Sequence, residues 1–239
     1  MASRKLQRED ENSNFTWRAP SGLAGRLEVP IAGAWNRLNA GPKRRAMLEE
    51  ALSSEAVQAG AIIAVVGPAM SGKSQVGLAL ADLRGLRAVF ATDQSDQQAF
   101  KPQGDILVLI DPVSAYPLED VRACIDFYRG KCPIILVDRS EEALSEIEGV
   151  YSIIRLRLPS AGAVSSYLRE LLQDYPHGLN DTDFEQLGAA MSGLSLPQVN
   201  QVAVDAALSR LQYGHAVDRR ALDSALAAHG MMKSQMQGD

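Results

Sequence analysis

The feature that most restricts what this chain can fold into is the run Gly67-Pro68-Ala69-Met70-Ser71-Gly72-Lys73-Ser74. Its spacing is that of a phosphate-binding loop: glycine, four residues, glycine, lysine, then a hydroxyl residue. The glycines let the loop wrap so that successive backbone N–H groups face phosphate oxygens. Such a loop needs a buried strand in front of it and a helix behind it, whose N-terminus adds a positive dipole end to the anion site. Both flanks comply. Residues 61–66 are an apolar run too short for a helix and read as a buried parallel strand, and residues 74–83 read as a helix. The expected ligand is a nucleoside triphosphate, ATP with Mg²⁺, touched by residues 67–75 from Gly67 through Gln75. Lys73 supplies a point charge to the β- and γ-phosphates and Ser74 an oxygen to the metal. No Asn-Lys-x-Asp run that would specify guanine is present, which favours adenine.

Strand and helix patterns alternate on either side of the loop. Residues 43–58 have helical periodicity, with Met47, Leu48, Ala51 and Leu52 on one face. Strands are expected over 87–91, 105–111, 133–138 and 150–156, and helices over 118–128 and 141–147. The fold class is therefore α/β, a five-stranded parallel sheet flanked by helices. At Leu158-Pro159-Ser160 the pattern changes to helices alone. Ser160 caps one that runs to about residue 173, and Asn180 opens another that ends near Gly193. The longest is expected over 196–213, with Pro197 at its first turn, and the last over 218–228. The expected division is a flexible tail over 1–22, a nucleotide-binding α/β domain over 23–158, a helical lid over 159–230 and a second flexible tail over 231–239.

The net charge of −5 argues against a dedicated nucleic-acid binder. The first fifth is nevertheless basic, with Arg4, Lys5, Arg8, Arg18, Arg26, Arg37, Lys43, Arg44 and Arg45. These read as a solvated tail and a polar helix face. Cys124 and Cys132 have neither CxxC spacing nor a histidine cluster, so they read as reduced thiols and not as a zinc site. No stretch approaches the roughly 18 apolar residues that span a membrane, and the polar start is unlike a secretory signal. A cytoplasmic protein is expected.

A second chemical element follows from the strand that ends in Asp111. Its apolar body buries it and leaves the carboxylate at the carboxyl edge of the sheet, where ligands of open α/β sheets sit. Asp111 is expected to hold the Mg²⁺ together with Ser74, and Lys73 and Asp111 are the expected catalytic pair. The position after Asp111 is Pro112, where a glutamate would polarise an attacking water. Glu119 and Asp120 are near in sequence but belong to the next helix. Asp138, Arg139 and Ser140 end the fourth predicted strand, where a polar group can sense a γ-phosphate. The alternative for Asp138 and Arg139 is an ordinary surface turn pair.

The loop, the apolar strand ending in Asp111, the strand leading into Leu158-Pro159 and the helical C-terminal part together resemble the AAA+ ATPase family over about residues 27–229. The stretch from Phe184 to Ser195 with its Gly193 turn, followed by the alanine-rich run from Val199 to Leu208, looks like the family's lid. The chain resembles a compact and partly degenerate member. Met70 stands where the family often has glycine, and Pro112 replaces the catalytic glutamate. Asp93 to Gln98 is a polar turn where the family places a substrate-gripping pore loop. The segment Arg139 to Gly149 lacks the arginines that the family presents to a neighbour's γ-phosphate, and Arg155 and Arg157 are weak substitutes. The resemblance implies an ATP-binding protein with slow or partner-dependent hydrolysis, used as a nucleotide-dependent switch or assembly factor, with a protein partner or a second copy of itself. The alternatives are an ATPase acting on nucleic acid, which only the basic N-terminal segment supports, and a small-molecule kinase. A kinase would need a closing arginine among Arg169, Arg210, Arg219 and Arg220.

Overall fold

The computed structural model describes residues 22–38, 42–93, 98–102 and 104–236, with side chains up to 230. The five expected strands are present as β2 (Ile62–Val66), β3 (Arg87–Thr92), β4 (Ile106–Ile110), β5 (Ile134–Asp138) and β6 (Val150–Arg155). A sixth, β1 (Ala24–Val29), precedes them, and the sheet order is β1-β3-β4-β5-β2-β6. β2 to β6 are mutually parallel, whereas β1 pairs antiparallel with β3 at the edge. Its sequence, with Gly25, Arg26 and Glu28, carries no strand periodicity. The pairing register shifts between Gly25 and Leu27, which makes room for Arg26 as an inserted residue.

Each central strand is buried on both faces, which is why its sequence is a continuous apolar run. Side chains alternate between two cores. Ala64, Val66, Val108, Ile110 and Leu136 join Val121, Cys124, Ile125 and Tyr128 of α5 (Leu118–Tyr128). Ile63, Val65, Leu109, Ile135 and Val137 join Val76 and Leu80 of α4 (Lys73–Leu83) and Leu48 of α2 (Pro42–Ala51). At Gly77, α4 lies so close to the sheet that a Cβ would stand 2.5 Å from Leu109 Cδ2.

The helix expected over 43–58 is two, α2 and α3 (Ser54–Gln58). Ser53 separates them, because its hydroxyl accepts from the Ala56 N–H and starts the second helix. Leu48 and Leu52 are buried, but Met47 is exposed. A short α1 (Ala34–Arg37) lies in front of them. The helix expected over 141–147 is one 3₁₀ turn, Glu142–Leu144.

A third core is all-helical. It is built by α6 (Ala161–Leu172), α7 (Asp181–Ala190), α8 (Leu196–Leu211) and α9 (Arg219–Met236) around Val164, Leu168, Leu187, Met191, Val199 and Val202. Ser160, Asn180 and Ser195 cap α6, α7 and α8, and the last two form reciprocal capping boxes. α9 is longer than expected and exceeds α8 in length, its backbone continuing into the stretch 231–239. Residues 1–21 and 237–239 of the two expected tails lie outside the described residues, as do Arg4, Lys5, Arg8 and Arg18. So do residues 94–97 of the expected polar turn.

Candidate functional site

The loop leaves β2 at the carboxyl edge of the sheet and enters α4 at Gly72, whose φ of 87° lies in the left-handed region. Gly67 leaves no room for a side chain, since a Cβ there would meet the Leu156 carbonyl oxygen at 2.6 Å. Met70 also adopts a left-handed φ, 58°, with its side chain in solvent. This is the position at which the resemblance expects glycine, and the backbone takes the glycine conformation without one.

Lys73 points back over the loop. Its Nζ donates to the carbonyls of Gly67 at 2.8 Å and Pro68 at 2.6 Å. Burial lowers its pKa below the usual lysine value, and Arg139 acts in the same direction, against Asp111 and Asp138. The Ser74 hydroxyl donates to Asp111 Oδ2, a hydrogen bond that joins the start of α4 to the end of β4. A hydroxyl beside a carboxylate is a hard oxygen donor set that fits Mg²⁺. Among the described residues no group of three or more His, Cys, Asp and Glu side chains is placed to hold a metal alone. A metal here would therefore share its shell with phosphate oxygens and water. Nearby, Ser71 Oγ is buried without a hydrogen-bond partner, as a hydroxyl reserved for a ligand would be.

Asp138 is neither a surface turn residue nor a free acid. It is 3% exposed. Its Oδ2 accepts from the Ser114 N–H at 2.7 Å and its Oδ1 from the Arg139 N–H at 2.6 Å. It thus fixes the 3₁₀ turn Val113–Ala115 that follows Asp111 and Pro112. Arg139 is exposed and stands near enough to Lys73 to shift it. Glu119 and Asp120 lie in the first turn of α5, where acids favour a helix N-terminus.

Beside the loop opens a cleft of about 620 Å³. Met70, Ser71, Gly72, Gln75 and Val76 form one wall, and Leu156, Arg157 and Leu158 after β6 form another. Arg37, Leu38, Arg44 and Leu48 close it from α1 and α2, and Tyr167, Glu170, Ser195, Leu196 and Pro197 from the helical region. Sequence reasoning names the loop wall and misses the others, because they come from the segment after β6 and from four separate helices. Arg157 is in the cleft, whereas Arg155 pairs with Glu141 at 2.5 Å. The basic residues expected to be solvated are not uniformly so. Arg26 is buried and donates to the Thr92 and Gly22 carbonyls. Arg37 and Arg44 line the cleft, and Arg45 lies over the Trp35 ring, 5.1 Å from its centroid.

Five parallel strands with one antiparallel edge strand, a glycine-rich loop on the inner strand β2 and a helical C-terminal region define the class: this is the AAA+ ATPase fold. Solved structures agree. The AAA domain of FIGL-1 in complex with ADP superposes with a TM-score of 0.58 at 12% identity, covering 97% of this chain and 99% of that one. A second FIGL-1 AAA domain gives 0.60 at 12% identity, over 87% of this chain and 85% of that one. A katanin structure describing self-assembly gives 0.61 at 14% identity, over 90% and 93%. No protein-family model and no curated protein sequence matches the chain. At these identities the likeness is one of fold.

Proposed function

We propose that this protein binds Mg-ATP and works as a nucleotide-dependent switch or assembly factor, with slow or partner-dependent hydrolysis. The observation that carries the reading is the Ser74–Asp111 contact beside the Lys73 loop, whose residues Met70 to Gly72 line a cleft shared by the α/β core and the helical region. Phosphates would lie on the loop N–H groups, with Lys73 exchanging its carbonyl partners for phosphate oxygens. Mg²⁺, held by Ser74 and Asp111, would offset charge on the phosphates. The apolar part of the cleft, around Leu38, Leu48, Leu156 and Leu196, suits a nucleobase. Arg37, Arg44 and Arg157 are available to its polar parts.

Pro112 in place of an acid favours slow turnover. The ADP complex of FIGL-1 and the self-assembly of katanin support a nucleotide ligand and a homo-oligomer or protein partner for this chain. The helical region acts as a lid in this reading. The kinase alternative has less support: of its four candidate arginines, Arg169 pairs with Asp181, Arg210 with Asp218, and Arg219 with Asp223 and Asp183, Arg220 is exposed, and none of the four lines the cleft. No helix among the described residues is long and apolar enough to cross a membrane. In this reading the protein works in the cytoplasm.

Titration with a fluorescent ATP analogue and Mg²⁺ tests the reading. Saturable binding is expected for the natural protein and its loss for Lys73→Ala; equal affinity in both would overturn it. Light scattering with and without ATP tests the switch, which predicts a change in mass or partner capture.

A further inference from the structure

Among the described residues, Met70 is the only one other than glycine with a positive φ. The hydrogen bonds show what demands it. The Ser71 N–H donates to the Pro68 carbonyl at 3.3 Å, so residues 68–71 close a β-turn with Met70 at its third position. A φ of 58° at that place suits glycine or asparagine, because the Cβ of other residues crowds the neighbouring carbonyl. Glycine at position 70 would form the same turn without that strain.

Backbone strain of this kind marks places where a side chain has a task. That task is not packing. Met70 is 55% exposed and belongs to none of the three cores. Its side chain instead lines the cleft, on the wall that holds Gln75 and Val76. The other walls present Leu156 from the core and Tyr167 and Leu196 from the helical region. A thioether is flexible and polarisable, and it fits against rings and irregular apolar surfaces. Met47 shows the contrast. It is also exposed, but it sits on α2 in helical backbone and does not line the cleft.

From this turn and its place in the cleft, we propose that the Met70 side chain contacts the nucleoside part of the bound nucleotide and sets the preference of the loop for a nucleotide over a bare polyphosphate. The role rests on the nucleotide reading given above. One loop then offers two chemistries. Its backbone N–H groups take the phosphates, and its single long apolar side chain covers the ribose and base that extend along the cleft. The strained backbone at position 70 is what aims that side chain into the cleft, and glycine, which the turn itself would prefer, could make no such contact.

The test is calorimetric titration with Mg-ATP and, separately, with Mg-tripolyphosphate, which has the phosphates and no nucleoside. The proteins are the natural chain, Met70→Gly, Met70→Gln, Met70→Leu and Met47→Gln, each with its thermal unfolding curve. Met70→Gly is expected to unfold, without ligand, at the natural temperature or above it, because the turn gains its preferred residue. It is nevertheless expected to bind Mg-ATP about tenfold more weakly, with tripolyphosphate binding unchanged. Met70→Gln and Met70→Leu keep a Cβ and so the same backbone demand. The polar variant is expected to lose ATP affinity and the apolar one to keep it, and Met47→Gln should match the natural protein. Mg-ATP bound at natural affinity by Met70→Gly or Met70→Gln, or a loss as large for tripolyphosphate as for ATP, would overturn the nucleoside contact and leave the loop as a phosphate site. A natural protein that does not bind Mg-ATP would overturn the nucleotide reading as well.

Discussion

At the scale of single residues, the acids at the carboxyl edge divide the work by what surrounds them. Asp111 meets a hydroxyl, whereas both Asp138 oxygens accept backbone N–H groups. Asp138→Asn would turn one acceptor into a donor that faces an N–H. Leaving a buried donor unpaired costs about 1–3 kcal/mol, so a loss of that size is expected in denaturant titration, with weaker Mg-ATP binding because the turn after Asp111 loosens. A loss well under this range would show that Asp138 does not hold the turn. Titration behaviour belongs to this scale as well. Burial pushes the Cys124 and Cys132 thiols from an ordinary 9.0 up to about 12, and it raises the neighbouring Tyr128 hydroxyl. A raised folded-state pKa gives stability that is complete below the unfolded value and fades as pH climbs through the folded one. Unfolding midpoints should therefore hold up to about pH 9 and fall toward pH 12, and the double variant Cys124→Ser, Cys132→Ser should flatten that fall. A midpoint independent of pH over the range would contradict the burial of these groups.

Between residue and element lies the question of what was readable from the sequence. β2, β4 and β5 announce themselves because both faces are covered and no polar position interrupts the run. Ser160 and Asn180 fix two helix starts through side-chain chemistry that is local to the chain, and Pro197 marks the first turn of a third. The loop is legible for the same reason, since phosphate recognition by backbone N–H groups needs its residues consecutive. β1 is not legible, because an edge strand with an inserted Arg26 has only a partner to define it. The cleft is not legible either. Arg44 on α2 and Leu196 on α8 line one cleft only when the helical region is folded against the core. The start of α8 is where element and site coincide, because Ser195, Leu196 and Pro197 line the cleft. Removing its cap with Ser195→Ala should cost about 1 kcal/mol, and it should also weaken nucleotide binding. Asn180→Ala, a cap of the same kind that does not line the cleft, should cost similar stability with binding unchanged. Equal binding in the two variants would detach α8 from the site.

For the whole molecule, the arrangement makes the proposed nucleotide site depend on two separately cored parts joined through Leu158-Pro159-Ser160, all three of which line the cleft. A ligand that touches both walls binds well only when the parts are closed on each other, so its binding energy holds them together. At about 100 times its dissociation constant, a ligand of the folded form adds about 2.7 kcal/mol of stability. Mg-ATP should therefore raise the unfolding temperature of the natural protein and leave that of Lys73→Ala unchanged. Hydrogen exchange separates closure from simple loop binding. With Mg-ATP present, protection should rise in the loop and also at the first turns of α6 and α8, which contribute Ala163 and Leu196 to the cleft. Protection confined to residues 67–75 would mean that the helical region does not close on the nucleotide, and the switch would then have to act through the core alone.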